Sequence, residues 1–260
     1  AWIKRCRDLR EQYPVVQKKH FQQQTPANVY AFIHTLSEAL PDGRITVVGN
    51  GSASVAGSHA FVIKPGQRFL INSGAASMGY DLPASVGACI AAGYEEITCL
   101  TGDGSIQMNL QELQTIVHHR LPVKIFVINN EGYHSIRQTQ RNYFKDSLVG
   151  VGTDSADLSF PSMEKLAWAY GYPYYKIEAN GQLPKITEIL KKEGFCICEV
   201  FVDTKQCFEP KSATGQLADG RMVSLPLEDL APRLPEEEIK KIMRDAMELT
   251  EWNGSCEGKP

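Results

Sequence analysis

Two short stretches carry side chains able to do chemistry together, Gly102-Asp103-Gly104-Ser105 and Asn129-Asn130. Asp103 and Asn130 lie 27 positions apart. An apolar run leads into each, Ile97 to Thr101 and Val123 to Ile128, and a helical pattern from Ile106 to His119 separates the two runs. A right-handed strand–helix–strand unit returns both strand ends to one edge of a parallel sheet. One carboxylate and one side-chain amide therefore converge on a point. Such a point suits Mg²⁺, a hard ion that takes near-octahedral oxygen ligands, commonly one or two carboxylates plus phosphate oxygens. Asp103 offers a charged oxygen, Asn130 a neutral one and the Gly132 carbonyl a third. Gly104 permits a tight turn. The helix expected to begin near Ser105 directs its free N–H groups and positive dipole end at the same place. Metal and helix terminus together suit a diphosphate. Either motif alone reads as a bare turn; the pair at this spacing points to a site.

The elements that must position this pair follow from the pattern of the 260 residues. Hydrophobic residues are 43% and charged residues 22%, enough for a buried core. With 27 Lys plus Arg against 30 Asp plus Glu, the net charge of −3 argues against a nucleic-acid partner held by counterion release. No apolar run approaches the roughly 18 residues of a membrane span. Seven scattered cysteines without a CxxC pair argue against a disulfide scaffold or a zinc site and favour a cytoplasmic location. Trp2 to Gln12 reads as a helix, and Thr25-Pro26 as a helix start continued by Val29, Phe32, Ile33, Leu36 and Leu40. Strands are expected at 45–48, 68–71, 97–101, 123–128, 174–177 and 195–202. Helices are expected at 83–94, 106–119, 133–143, 162–170 and 183–192. This alternation predicts an α/β fold, a doubly wound, mostly parallel sheet with helices on both faces. Ligands of such sheets bind beyond the carboxyl ends of the strands. The tail from Asp203 to Leu234 has few periodic signals, with a turn at Asp219-Gly220. Pro235 opens a last helix with Glu236–Lys240 and Glu237–Lys241 pairs.

The paired motif resembles the thiamine-diphosphate motif of the acetolactate synthase and pyruvate decarboxylase family, a Gly-Asp-Gly followed by Asn-Asn. Asn72 to Tyr80, Leu82-Pro83-Ala84, Gln111-Glu112-Leu113 and Leu121-Pro122-Val123 are similar to the same family, over roughly residues 25–200. The resemblance implies the fold of that family's diphosphate-binding domain over 25–202. It makes 1–24 the end of a preceding central domain with a linker, and 203–260 a lid-like tail and final helix. The beginning at Ala1-Trp2 reads as a cut inside a larger protein. By resemblance the cofactors are thiamine diphosphate and Mg²⁺, the latter held by Asp103, Asn130 and the Gly132 carbonyl. Gly51, Ser52, Gly104, Ser105, Tyr133 and His134 would contact the diphosphate. Met78 would support the bent cofactor, and the Ala76 carbonyl would accept its 4′-amino group. Met78 read by itself is equally a gap-filling core residue.

The implied activity is that of a lyase or transferase on 2-oxo acids, by decarboxylation or carboligation, within a homo-oligomer. A pyrimidine-binding domain would supply the activating glutamate, so this chain alone is expected to be inactive and no catalytic residue is assigned in it. Thr139 stands where acetolactate synthases carry a substrate-shaping Trp, and Ile136 where pyruvate decarboxylases carry a catalytic Glu, which leaves substrate choice open. Two other readings are a non-catalytic diphosphate- or nucleotide-binding module and an NAD-binding domain at Gly49-Asn50-Gly51. Ser54 replaces the third glycine of the latter fingerprint. His59 falls in a segment without pattern, near the strand ends. Arg137, Gln138 and Arg141 read as a solvated helix face or the lining of an entrance.

Overall fold

The computed structural model describes residues 2–145, 147–212, 214–216, 219, 221–224 and 226–250. The chain divides into two compact units, Val16–Cys207 and Ala1–Val15 with Phe208–Pro260.

Along the chain, helix α1 (Trp2–Gln12) is followed by α2 (Lys18–Gln22), α3 (Val29–Ala39), β1 (Ile45–Val48), α4 (Ser52–Ala60), β2 (Arg68–Ile71) and α5 (Asp81–Ala91). Next come β3 (Ile97–Gly102), α6 (Glu112–His119), β4 (Val123–Asn129), α7 (His134–Tyr143), α8 (Met163–Tyr170), β5 (Tyr174–Ile177), α9 (Lys185–Leu190) and β6 (Cys196–Phe201). The six strands form one parallel sheet in the order β2-β1-β3-β4-β6-β5.

Central strands β3, β4 and β6 are buried along nearly their whole length, as largely apolar runs covered by helices must be, with Lys124 of β4 and Glu199 of β6 as buried charged exceptions. Successive side chains of a strand face opposite ways. Val123, Ile125 and Val127 of β4 join Cys99 of β3 and Leu82, Leu113, Ile116 and Ala167 of α5, α6 and α8 in one core. Phe126, of the opposite parity, packs its ring 6.1 Å from Phe32 of α3. Helix α3 in turn packs on α4 and α9. Fully burying each such aliphatic side chain stabilises the unit by about 1.5–3 kcal/mol.

Several expected boundaries shift, for identifiable reasons. Helix α3 does not start at Thr25-Pro26. Ala27 bridges to Val202, and Asn28 caps the helix, accepting from Tyr30 N (3.0 Å) and Ala31 N (3.2 Å). Asn28→Ala is expected to destabilise the unit by about 1 kcal/mol, read as a lower urea midpoint at unchanged slope. The helix expected over 106–119 is divided into a 3₁₀ turn at Ser105–Asn109 and α6. Its first turn is tied to a neighbouring loop, since Gly79 N donates to Ser105 Oγ (3.0 Å) and Asn109 Nδ2 donates to Gly79 O (2.7 Å). The Gly-rich segment after β1 is helix α4, which therefore carries His59.

In the other unit, α1 and a last helix, α10 (Glu236–Thr250), are linked by Arg5–Asp245 at 3.2 Å and by the Tyr13 hydroxyl donating to Glu238. Two small antiparallel ribbons pair β7 (Lys211–Ser212) with β10 (Leu230–Ala231) and β8 (Thr214–Gln216) with β9 (Met222–Ser224). Lys240 pairs with Glu236 at 2.8 Å, as its spacing predicts. Glu237 also meets Lys240, at 3.2 Å, one position short of the Lys241 expected. Of the Asp219-Gly220 turn, Gly220 lies outside the described residues, as does Cys256; the six described cysteines are free. Among the described residues no helix is long and apolar enough to cross a membrane.

Candidate functional site

Strands β3 and β4 run in register to Gly102 opposite Ile128, so the residues just beyond them meet at one sheet edge. Asp103 N donates to Ile128 O at 3.1 Å. The Asp103 carboxylate is buried. Its Oδ1 accepts from Gly104 N (2.8 Å) and its Oδ2 from Gly132 N (3.0 Å). Burial pushes this carboxyl up to about 7, although both amides and the nearby Arg137 guanidinium pull the other way. Asn130 is buried too. Its Nδ2 donates to Ser52 Oγ at 2.6 Å, while its Oδ1 has no hydrogen-bond partner among the described residues. Buried acceptors are rarely left this way in native proteins, and each needs a reason. A carboxylate short of compensating charge and an orphaned amide oxygen at one edge form an oxygen donor set for a hard cation. Gly132 O accepts from His134 N at 3.1 Å, which leaves that carbonyl one further lone pair. Among the described residues no three His, Cys, Asp or Glu side chains gather as metal ligands, so the set depends on amide and carbonyl oxygens.

Backbone shape holds the set in place. Glu131 has φ +57° and Gly132 φ +143°. A Cβ on Gly132 would collide with Val151 O and Gly152, and one on Gly104 with the Tyr133 ring. Tyr133 N donates to Val151 O at 2.7 Å, and the Tyr133 ring meets Phe160 edge-on.

The remaining candidates divide. Ser52, through its bond to Asn130, belongs to the constellation. Gly51, with φ +70°, precedes α4, and its N–H is satisfied by Asn50 Oδ1 at 2.7 Å. Ser105 Oγ turns inward and donates to Asp81 Oδ2 at 2.9 Å. His134 Nε2 lies 2.6 Å from Gln206 O, and burial lowers the pKa of its ring. Ala76, at φ +50°, accepts from Asn50 Nδ2 through its carbonyl at 2.5 Å. Met78 is 39% exposed, which overturns its reading as a core gap-filler. A cavity of about 310 Å³ opens beside Ala76 between β1, α4 and the 72–80 loop, and His59 lines it. Ile136 is exposed, and Thr139 Oγ1 bonds Ser135 O at 3.1 Å within α7.

Beside these candidates, the sequence reading missed the burial of two ionisable residues, Asp81 and Arg137. Asp81 is fully buried behind Ser105 and bonded to Leu82 N (3.0 Å), and burial raises its pKa. A Cβ on Gly49 would strike its carboxylate, which explains a glycine there. Neither residue gives a hydropathy signal. Arg137 does not lie on a solvated face as expected. It is 0% exposed and donates to Asn130 O and Glu131 O.

The family model described as "Thiamine pyrophosphate enzyme, C-terminal TPP binding domain" matches residues 49–200, a range that includes every candidate named above. The chain is 35% identical over 159 residues to the acetolactate synthase large subunit of Cyanidium caldarium, covering 61% of this chain and 26% of that protein. It is 28% identical over 228 residues to the acetolactate synthase large subunit of Porphyra purpurea, covering 86% and 37%. The chain thus spans between about a quarter and two fifths of the length of these curated relatives. The fold is similar to that of benzoylformate decarboxylase from Polynucleobacter necessarius, with a TM-score of 0.63 at 22% identity over 75% of this chain and 36% of that one.

Proposed function

The chain belongs to the thiamine pyrophosphate enzyme family, through its match to the C-terminal cofactor-binding domain, and we propose that the unit 16–207 holds Mg²⁺ and the diphosphate of thiamine diphosphate. The observation that carries this reading is the orphaned Asn130 Oδ1 at the edge where the buried Asp103 carboxylate lies. Asp103 and Asn130 would ligate the cation with the Gly132 carbonyl. Gly51, Ser52 and Gly104 would contact the phosphate oxygens, Ser52 through its hydroxyl and the two glycines, whose own N–H groups are already bonded, by leaving room for them. Ser105, turned toward Asp81, and Tyr133 would shape the floor. His134, held against Gln206 O, would close one side. Ala76 lines the 310 Å³ cavity, and its carbonyl and the exposed Met78 would face the organic part of the cofactor. When bound, the cofactor would supply an electron sink for chemistry on 2-oxo acids. The protein's part is to bind, orient and exclude water.

The finer reading is also a proposal: a doubly wound sheet and decarboxylation or carboligation of 2-oxo acids. It extends to a cytoplasmic homo-oligomer in which a pyrimidine-binding domain completes the site and the tail 203–260 acts as a lid. The similarity to acetolactate synthases supports the chemistry, and the strand order β2-β1-β3 supports a ligand crevice at β1 and β3.

Calorimetric titration of the chain with thiamine diphosphate in MgCl₂, and separately with NAD, tests the cofactor reading. Saturable, Mg²⁺-dependent uptake of thiamine diphosphate and none of NAD is expected. Uptake of NAD alone would replace this reading with the dinucleotide one. Pyruvate turnover is expected only when a pyrimidine-binding partner is added.

A further inference from the structure

We propose that Arg137 is a positioning residue that clamps the 130–132 loop, with Asp154 as its anchor. The effect on a bound cation rests on the reading above; the clamp itself rests on geometry. A guanidinium offers five donors in a rigid planar fork. Arg137 Nη1 donates to Asn130 O at 3.0 Å and Nη2 to Glu131 O at 2.9 Å. On its other side, Nε meets both Asp154 oxygens, at 3.0 and 2.9 Å. One cation thereby fixes two successive peptide planes. The first carries the Asn130 side chain. The second leads through Glu131, at φ +57°, to the Gly132 N–H that holds Asp103. A positive φ at a residue with a Cβ is uncommon and needs such support.

The anchor segment is joined to the loop independently. Gly132 bridges Gly152, and Thr153 N donates to Glu131 O at 3.3 Å. Gly152 has no room for a side chain, because a Cβ there would lie 2.7 Å from Arg137 Nη2. Asp154 also meets a second cation, Arg141, at 3.0 Å. If Arg137 served only to balance Asp154, a lysine would suffice, since its ammonium is a point charge. A lysine cannot span Asp154 and two carbonyls at once.

The test compares the full chain with Arg137→Lys and Arg141→Ala. In the metal-free protein, amide hydrogen exchange is measured at Gly132 and Tyr133. Mn²⁺ is then titrated, with the free ion read by electron paramagnetic resonance. R137K is expected to speed exchange at Gly132 by about tenfold and to weaken Mn²⁺ binding by about tenfold, the lower end for loss of a group that orients metal ligands. R141A is expected to change neither by more than about twofold, as for an exposed ion pair. Wild-type exchange at Gly132 in R137K would overturn the clamp, because charge alone would then have been enough. If R137K does not fold, Asp154→Asn keeps the guanidinium and weakens its anchor, and unaltered exchange at Gly132 in that variant overturns the proposal equally. A wild-type chain that takes up no Mn²⁺ while R137K loosens the loop would discard the metal reading and leave the clamp standing.

Discussion

Asp103→Asn is expected to weaken Mg²⁺-dependent binding of thiamine diphosphate about 100-fold, roughly 2.7 kcal/mol. The substitution keeps the volume and removes the charge. It also replaces one of two acceptor oxygens, which receive Gly104 N and Gly132 N, with a donor. The sign of its effect on the empty protein is the informative part. Burial already pushes this carboxyl up to about 7, so its charged form is unfavourable without a cation. The metal-free variant is therefore expected to melt no more than slightly below the wild type. What disappears is the ligand-induced rise in melting temperature, which scales with the logarithm of ligand concentration over dissociation constant. Melting curves with and without MgCl₂ and thiamine diphosphate read both quantities. A full thermal shift retained in D103N would remove Asp103 from the ligand set.

Gly132→Ala is expected to cost the 16–207 unit about 3 kcal/mol or more, lowering its melting temperature by roughly 6–12 °C. Two penalties combine. The backbone sits at φ +143°, a region nearly reserved for glycine, and an added Cβ would be driven into Val151 O and Gly152. Neither neighbour can yield easily, because Val151 O accepts from Tyr133 N and Gly152 abuts the Arg137 guanidinium. Gly74 is the natural control, since it has ordinary φ and open space around it. A G132A protein as stable as G74A would mean the 130–152 junction is looser than its geometry indicates.

The contrast between what sequence disclosed and what it hid has a physical origin. Strands such as Val123–Asn129 announce themselves because a parallel strand covered on both faces is a nearly continuous apolar run, here interrupted only by Lys124 before Asn129 ends it. Asp103 and Asn130 were legible because a strand-end carboxylate and amide separated by one crossover have a fixed spatial meaning. Helix α4 was not, because its Gly, Ser and Ala residues bury against the sheet without an apolar stripe. The helix start at Asn28 was masked by Thr25-Pro26, a pattern that local chemistry favours and the Ala27–Val202 bridge displaces. Arg137 lies in a helix whose residues are polar almost throughout. Its burial results from carbonyls presented by 130 and 131 and a carboxylate from 154, contacts that no single-residue scale registers. Asp81 was concealed likewise, since its partners Ser105 and Gly49 come from other segments.

On the proposed cation reading, the bridge between Gly132 and Gly152 also bears on how quickly an ion would load. Because the chain there is already laced to its neighbour, an arriving cation has little folding work to wait for. The slow event is then the ion's own surrender of hydration water, which Mg²⁺ resists strongly. Loading should accordingly be governed by which divalent ion is offered, more than by temperature-driven breathing of the protein.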